Sequence, residues 1–401
     1  MNEKTMNLLD FPEIRSRLAE CALSKLGRKM VEDLVPRTNL GAVSEMLRET
    51  SEAKLLLESS GTPPLHGLAD LSDSFQKLRA GGVLDPVSLQ AVSDFLRRTR
   101  EFMQKRLELA PMVAGYSFGI TPFEELEVEI ERCIIDGVVA DDASSNLRKI
   151  RREIKRLQDK IKSKLQQIIL SPEAKTWLQE PVVSIKDSRQ VIMVKAGYKH
   201  QIPGIVIGSS GSGGTLFVEP MAVHTLSNEM RVLEGSEREE IYKILAELSG
   251  RVGAEISRLD YNLEIMAQYD LAFAKARFSR IINGTAPAIN EAGQIKLVRA
   301  RHPLLTEDAV PLDFNIGFDY RTLVITGPNT GGKTVALKTI GLLTLMAQSG
   351  LHIPAAGGSE IAIFENVLAD IGDGQNIAQS LSTFSAHITN IIAILKDCRR
   401  Q

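Results

Sequence analysis

Residues 327–334 have the types and the spacing of a loop that binds phosphate. The pattern G-x-x-x-x-G-K-[ST] is filled by Gly327, Gly332, Lys333 and Thr334. Glycines allow a sharp turn and bring backbone N–H groups close to phosphate oxygens, where a Cβ atom would obstruct. The Lys333 amine can reach the β- and γ-phosphates, and the Thr334 hydroxyl can ligate Mg²⁺. The pattern therefore predicts a nucleoside triphosphate site.

The flanks of this loop are those that a phosphate site needs. An apolar run at residues 323–325 predicts a buried strand before the loop, and an apolar helical pattern begins at Val335. A helix that begins near Lys333 directs the positive end of its dipole at the same anion. A glycine-rich turn without a ligand is the alternative, but the order strand, loop, helix favours the phosphate site. The residues predicted to contact the nucleotide are Gly327, Pro328, Asn329, Thr330, Gly331, Gly332, Lys333, Thr334 and Val335.

A second segment with hydroxyl side chains lies downstream. A polar loop leads into Ser380-Leu381-Ser382-Thr383-Phe384, which precedes an apolar helix. The simplest interpretation is that Ser380 or Ser382 caps this helix. A helix N-terminus is also an anion site. Because a phosphate loop lies upstream, we favour contact between this segment and a γ-phosphate supplied by another subunit.

Residues 148–164 are strongly basic, with nine Lys or Arg and only Glu153 and Asp159 as acids. Such charges often form a solvated face beside an apolar seam. They could also contact a nucleic-acid backbone, with strong salt dependence and without sequence specificity. Both interpretations stay open. The candidate nucleic-acid contacts are Arg148, Arg151, Arg152, Lys155 and Arg156, with Lys195 and Lys199 further along the chain.

Length and composition bound the class of protein. At 401 residues, two or three domains are expected. The net charge of −2 gives no global sign of a nucleic-acid partner, so any such surface must be local. Three scattered cysteines favour a reducing cytoplasm and no paired metal site. No apolar stretch approaches 18 residues, so no membrane partner is expected.

The hydrophobic pattern predicts an arm between two other regions. Residues 6–110 read as several helices, and Leu147, Ile150, Ile154, Leu157, Ile161, Leu165 and Ile168 then form a near-heptad stripe that requires a partner helix. Residues 222–283 supply that partner, with mild interruptions at Gly235 and Gly250. Between the two lie β-branched runs at 182–185, 190–194, 202–207 and 215–218. A long helix pair with a small β-rich tip is expected.

Taken together, these motifs resemble the MutS family of ABC-type ATPases. The resemblance rests on Ala300-Arg301-His302-Pro303-Leu304-Leu305, on Ile325 to Thr334 with its Gly-Pro-Asn-x-Gly-Gly-Lys form, and on Ser380 to Phe384. Thr330, the Ser-Leu-Ser-Thr-Phe-Ser-x-His sequence, and Gly204-Ile205-Val206 with Gly214 to Pro220 resemble the bacterial MutS-II branch. The resemblance covers essentially the whole chain.

The resemblance implies an α/β multidomain fold. An all-α core (1–125) is expected first, followed by a first lever helix (126–172), a β-rich clamp tip (173–220) and a returning lever helix (221–289). An incomplete ABC-type P-loop ATPase domain (290–401) follows. The lever helices would be antiparallel. The chain begins with core-type helices and stops soon after Phe384, so we expect the N-terminal portion of a longer protein, without Walker B and the Smr nuclease domain.

The resemblance also implies a function and its site residues. ATP and Mg²⁺ would be the cofactors, with His302 and Pro303 near the base and Ser382 contacting ATP across a homodimer. Branched DNA or the ribosome and its RNA would be the client, with suppression of recombination or rescue of collided ribosomes as the role and nuclease activity in the longer protein. Little turnover is expected of this portion alone. A mismatch-repair MutS is the alternative, and a nucleotide-gated clamp without hydrolysis is a third possibility.

Overall fold

A computed structural model describes residues 2–59, 69–104, 110–187, 189–306, 308–327, 332–371, 388–392 and 394–395. The helices are α1 (Glu3–Leu8), α2 (Phe11–Cys21), α3 (Lys25–Glu32), α4 (Leu40–Ser59), α5 (Ser72–Arg79), α6 (Pro86–Gln104), α7 (Pro111–Phe118), α8 (Glu124–Cys133), α9 (Ser145–Ile169), α10 (Ala174–Trp177), α11 (Met221–Ala254), α12 (Ile256–Ile281) and α13 (Lys333–Gln348). The strands are β1 (Ile134–Ile135), β2 (Val138–Val139), β3 (Leu178–Lys186), β4 (Arg189–Lys195), β5 (Gly204–Ser209), β6 (Thr215–Pro220), β7 (Ala288–Asn290), β8 (Ile295–Ala300), β9 (Leu312–Ile316) and β10 (Glu360–Ala362).

The chain forms two compact units. Unit 1 comprises Met1–Asp70, Asp94–Phe123 and Ser257–Gln401, and unit 2 comprises Leu71–Ser93 and Glu124–Ile256. The division of the chain into five domains, with boundaries at 125, 172, 220 and 289, stays a prediction. By contacts, the N-terminal helices and the segment that carries the phosphate loop belong to one unit.

Unit 2 contains the predicted helix pair. Ser144 and Asn146, at the start of α9, donate hydrogen bonds to Glu240 (2.7 and 2.8 Å), while Lys164, near its end, donates to the carbonyl of Ala222 (3.2 Å). The start of α9 therefore contacts the later part of α11, and the end of α9 contacts the start of α11. The two helices are antiparallel. Ser144 caps α9 by accepting from the Leu147 N–H.

The apolar stripe of α9 is buried as predicted from Leu147 to Leu165. Its last member differs, because Ile169 is buried whereas Ile168 is only half-buried. Real helices have 3.6 residues per turn, so a 3.5-residue pattern drifts around the helix along its length.

The predicted interruptions of the returning helix are wrong. Gly235 and Gly250 lie inside α11, which continues to Ala254. One glycine destabilises a helix by about 1 kcal/mol, and the packing of the helix outweighs this loss.

The small sheet of unit 2 matches the four predicted β-branched runs. Its strand order is β3-β4-β6-β5, and all its pairings are antiparallel. Ile192, Val194 and Val218 from the sheet pack with Trp177 and with the end of the stripe, Ile161 and Leu165. This core fixes the sheet to the end of α9.

Unit 1 is built around α13, the helix that follows the phosphate loop. Leu342, Leu343 and Met346 pack in one core with Phe11 and Leu18 of α2, and with residues of β8 and β10. Gly341 allows this close contact, since a Cβ atom there would lie 2.8 Å from a methyl carbon of Leu9 and the Leu9 side chain would have to shift. The sheet of this unit has the order β7-β10-β8-β9, with β10 parallel to β7 and antiparallel to β8. The N-terminal helices therefore position the start of α13.

The predicted buried strand at residues 323–325 is wrong. These residues form no strand, and the side chain of Val324 is 77% exposed. A strand is buried only when neighbouring strands pair with it and cover its faces. Among the described residues, none of the four strands in the sheet of unit 1 pairs with this segment. In the described part of the chain, no helix is long and apolar enough to cross a membrane.

Candidate functional site

The N-terminus of α13 is open for an anion. Its N-cap is Gly332, in the left-handed region at φ 77°, and no side chain of the described residues caps the helix. The first turn contains no acidic residue. The first backbone N–H groups of a helix have no partner within it, and the helix dipole adds positive potential at this end. Glycine suits the N-cap because it adopts a positive φ without steric cost.

The side chains at this end match the predicted chemistry. The Lys333 amine donates a hydrogen bond to the carbonyl of Gly327, so the lysine folds back over the loop. Gly327 itself has φ 145°. Thr334 and Val335 are exposed at the first turn. The structure thus brings together Gly327, Gly332, Lys333, Thr334 and Val335.

Other predicted residues fall outside the described part of the chain. These are Pro328, Asn329, Thr330 and Gly331 of the loop, and Ser382 of the second segment. Their roles stay predictions. Among the described residues, no group of three or more His, Cys, Asp or Glu could hold a metal ion. A phosphate-loop Mg²⁺ does not need one, because a single hydroxyl and phosphate oxygens ligate it.

His302 lies in a buried position near the beginning of α2 and α13. Its burial lowers the pKa, while the nearby carboxylate of Asp10 raises it and the nearby amine of Lys338 lowers it further. Asp10 and Lys338 form an ion pair of 2.8 Å. Sequence reasoning missed this pair, because 328 positions separate the two residues and neither belongs to a motif. The pair joins the start of α2 to the second turn of the phosphate-loop helix.

The basic face of α9 consists of two groups of residues. Three of the predicted contacts already have acidic partners: Arg148 pairs with Asp142 (2.5 Å), Arg156 with Glu153 (3.0 Å), and Arg151 with Asp141 and Glu237 (2.5 and 2.7 Å). Arg151 also donates to the carbonyl of Val139. It therefore joins α9 to α11 and to the segment before α9.

The remaining candidates have no acidic partner among the described residues. Arg152 and Lys155 are exposed and have no ion-pair partner among the described residues. Both point away from the buried stripe, since they lie about half a turn from it on the helix. Lys195 donates to the carbonyl of Thr176 (3.1 Å), and Lys199 is exposed beside the half-exposed Tyr198.

Comparison with known proteins identifies the class. Residues 323–401, which include the phosphate loop, match the family model for MutS domain V. The chain is 44% identical over 99% of its length to Endonuclease MutS2 of Acetivibrio thermocellus, of which it covers 51%. It is 44% identical over 98% to Endonuclease MutS2 of Pelotomaculum thermopropionicum (51% covered) and 42% identical over 99% to that of Geobacillus sp. (52% covered).

The resemblance to the MutS family and its MutS-II branch is therefore confirmed. The chain spans about half the length of the curated relatives that it matches. The mixed helix-and-sheet structure is compatible with the MutS domain architecture.

Proposed function

We propose that this chain is the nucleotide-binding part of a MutS2-type clamp, which binds ATP with Mg²⁺ and contacts nucleic acid through the α9–α11 arm. The observation that carries the proposal is the N-terminus of α13, which no described side chain caps, with Lys333 beside Gly327. Relatives named Endonuclease MutS2 over almost the whole chain support the same assignment. A mismatch-repair MutS is the less favoured alternative, because those names favour the MutS-II branch.

The described residues fit a nucleotide phosphate. The N–H groups at the start of α13 donate hydrogen bonds to phosphate oxygens. The Lys333 amine gives up its hydrogen bond to the Gly327 carbonyl and donates to the β- and γ-phosphates instead. Thr334 is placed to ligate Mg²⁺. When bound, ATP supplies a γ-phosphate whose contacts differ from those of ADP. His302 is buried near Asp10 and Lys338, and we propose that it lies beside the base.

Nucleotide binding is expected to stabilise unit 1. With Mg²⁺ and ADP or ATP at one hundred times the dissociation constant, the gain would be about 2.7 kcal/mol, or a rise of several degrees in the melting temperature. Lys333→Ala should remove most of this gain, while Lys296→Ala, an exposed lysine on β8, should retain it. Differential scanning fluorimetry measures both. A parent chain whose melting temperature is unchanged by saturating nucleotide would contradict the assignment.

The arm's nucleic-acid contacts are assigned to Arg152 and Lys155. The paired arginines Arg148, Arg151 and Arg156 already have acidic partners, and reversing Arg151 would also disrupt the arm. A reversal of Arg152 and Lys155 instead changes only exposed charges that no described acid pairs.

Arg152→Glu combined with Lys155→Glu is expected to weaken binding to branched DNA or structured RNA by tenfold or more. The slope of log affinity against log salt should fall by about 2, since each lost phosphate contact releases about one counterion fewer. Arg238→Glu with Lys243→Glu is the matched control, with the same charge change at exposed positions of α11. Fluorescence anisotropy at several salt concentrations measures both. If both double variants lost nucleic-acid affinity equally, the basic face of α9 would be only a solvated surface.

The finer assignments are part of the same proposal. The client is branched DNA or a collided ribosome with its RNA, and the role is suppression of homologous recombination or ribosome splitting. ATP is shared across a homodimer, with Ser382 of one subunit contacting the γ-phosphate held by the other. Endonuclease activity, named in the relatives, is proposed for the whole protein.

A further inference from the structure

Exposed basic residues form a continuous ridge along α9. Every fourth residue from 148 to 164 is basic and exposed, namely Arg148, Arg152, Arg156, Lys160 and Lys164. Residues four apart are neighbours on a helix surface and lie about 6 Å apart along its axis. The ridge therefore presents a row of positive charges that suits the successive phosphates of one nucleic-acid strand.

The ion pairs on this ridge do not block contact with phosphate. Arg148 pairs with Asp142 and Arg156 pairs with Glu153, but all four side chains are more than a third exposed. Exposed ion pairs contribute little to stability, so a phosphate can replace the carboxylate. Lys160, between them and the end of the helix, has no ion-pair partner among the described residues.

A cavity of about 570 Å³ lies at the end of the ridge, within unit 2. Its walls come from the end of α9, from residues 202–203, and from residues 220–222 at the junction of β6 and α11. Lys164 is both the last basic residue of the ridge and part of the cavity wall. The volume falls within the range of about 300–1,000 Å³ that is found for small-molecule sites.

The lining of the cavity suits a flat ring that is attached to a phosphate. Met221 is 52% exposed and Pro203 is also exposed, while the buried Trp177 lies beneath them as the floor. Among the described residues that line the cavity, none is acidic. Lys164 donates one hydrogen bond to the carbonyl of Ala222 (3.2 Å). An ammonium group has three donors, so Lys164 can also contact a phosphate.

The polar side chains of the wall can contact the edge of a base. The side chain of Gln167 is exposed, and its amide has no hydrogen-bond partner among the described residues. An amide offers a donor and an acceptor together, which is the pair that one edge of adenine matches. The Ser171 hydroxyl donates to the carbonyl of Ile168 (2.9 Å), and its oxygen can still accept.

We propose that this cavity binds one unpaired base of a nucleic acid whose backbone follows the α9 ridge. The base packs against Met221 and Pro203, its edge meets Gln167, and its phosphate meets Lys164. The inference rests on the proposed nucleic-acid contact of the arm and adds a preference for strands with a base outside the stack. A base inside a duplex cannot enter a pocket, so a fully paired duplex makes the ridge contacts alone.

The test compares two probes with the 401-residue chain by fluorescence anisotropy at fixed salt. One is a DNA duplex with a bulged adenosine, and the other is the same duplex with an abasic bulge, so that the two differ only in the base. The chain should bind the adenosine bulge at least about fivefold more tightly, as expected for one packed base. Met221→Ala should remove most of this preference and leave the affinity for the abasic probe unchanged. Val232→Ala, also exposed on α11 (70%), is the matched control and should retain the preference.

A second variant covers the case in which Met221→Ala disturbs the start of α11. Gln167→Ala changes an exposed side chain on the α9 wall and should also reduce the preference. Equal affinity of the parent chain for the two probes, or a preference that survives both variants, would overturn the base site. The proposed nucleic-acid contact of the arm would then still stand, and the cavity would suit an apolar segment of a protein partner instead. If neither probe bound at low salt, both the base site and the arm's nucleic-acid contact would be overturned.

Discussion

Asp270→Ala is expected to destabilise unit 1 by about 3–5 kcal/mol, because it breaks a buried charge network. The carboxylate of Asp270 is completely buried and accepts from the Leu23 N–H (3.0 Å), and from the Ser24 N–H and hydroxyl (both 2.7 Å). Arg277 lies 3.7 Å away. Removing the carboxylate leaves the Leu23 and Ser24 donors without an acceptor, and Arg277 keeps only the carbonyl of Cys21 as a partner. Each buried polar group without a partner costs free energy. The network joins α12 to the start of α3.

Urea or thermal unfolding measures this prediction, with a melting temperature lower by roughly 10 °C. Glu264→Ala is the matched control, since Glu264 is an exposed acid on the same helix. Asp270→Asn should lose less than Asp270→Ala, because one amide oxygen can still accept. Gly27 shows how closely the two parts fit, since a Cβ atom there would lie 2.3 Å from the Asp270 carboxylate. If Asp270→Ala lowered the free energy of unfolding by less than about 1 kcal/mol, the buried network would not stabilise unit 1 as expected.

Glu219→Ala is expected to destabilise unit 2 by a similar amount, about 3–5 kcal/mol. Glu219 of β6 is completely buried and accepts from Arg189 of β4 (2.6 Å) and from His224 of α11 (3.0 Å). The carboxylate therefore fixes the small sheet to the beginning of the returning helix. Glu229→Ala, at an exposed position of α11, is the control and should cost little.

The loss of unfolding free energy caused by Glu219→Ala should depend on pH. Burial raises the pKa of Glu219, but hydrogen bonds from His224, Ser227 and Arg189 outweigh it, and the net pKa lies below its ordinary value. A carboxyl with a lowered folded-state pKa stabilises the fold above its unfolded pKa of about 4.3. That contribution is lost as the pH falls through the folded-state pKa. The difference in unfolding free energy between the parent and Glu219→Ala should therefore shrink below pH 4. A constant difference from pH 7 to pH 3 would contradict this role.

Local patterns in the sequence predicted much of the arm. The stripe from Leu147 to Leu165 has helical spacing, and the four β-branched runs alternate with turn residues, so periodicity alone locates α9 and the small sheet. The loop from Gly327 to Val335 follows a fixed spacing, and the described part of it forms an open helix N-terminus.

Features that depend on distant residues were not predictable in this way. The seven basic candidates looked alike in sequence, but Arg151 is paired by Asp141 and Glu237, which only the fold brings near. The apolar run at 323–325 reads as a buried strand, yet burial requires neighbouring strands that the described sheet does not supply. The bulge in the β8–β9 ladder between Leu297 and Ala300 has no glycine or turn motif that would mark it in the sequence.

The proposed clamp requires that nucleotide bound near Lys333 changes the affinity of the α9–α11 arm for nucleic acid. The most direct test measures the affinity of the chain for branched DNA and structured RNA, with Mg²⁺ and either ATP, ADP or no nucleotide, by anisotropy at fixed salt. We predict that ATP changes the affinity by 5- to 150-fold, the usual range of coupling between two sites, and that Lys333→Ala abolishes the change. The same affinity in all three conditions, for a chain that melting curves show to be saturated with nucleotide, would contradict the account.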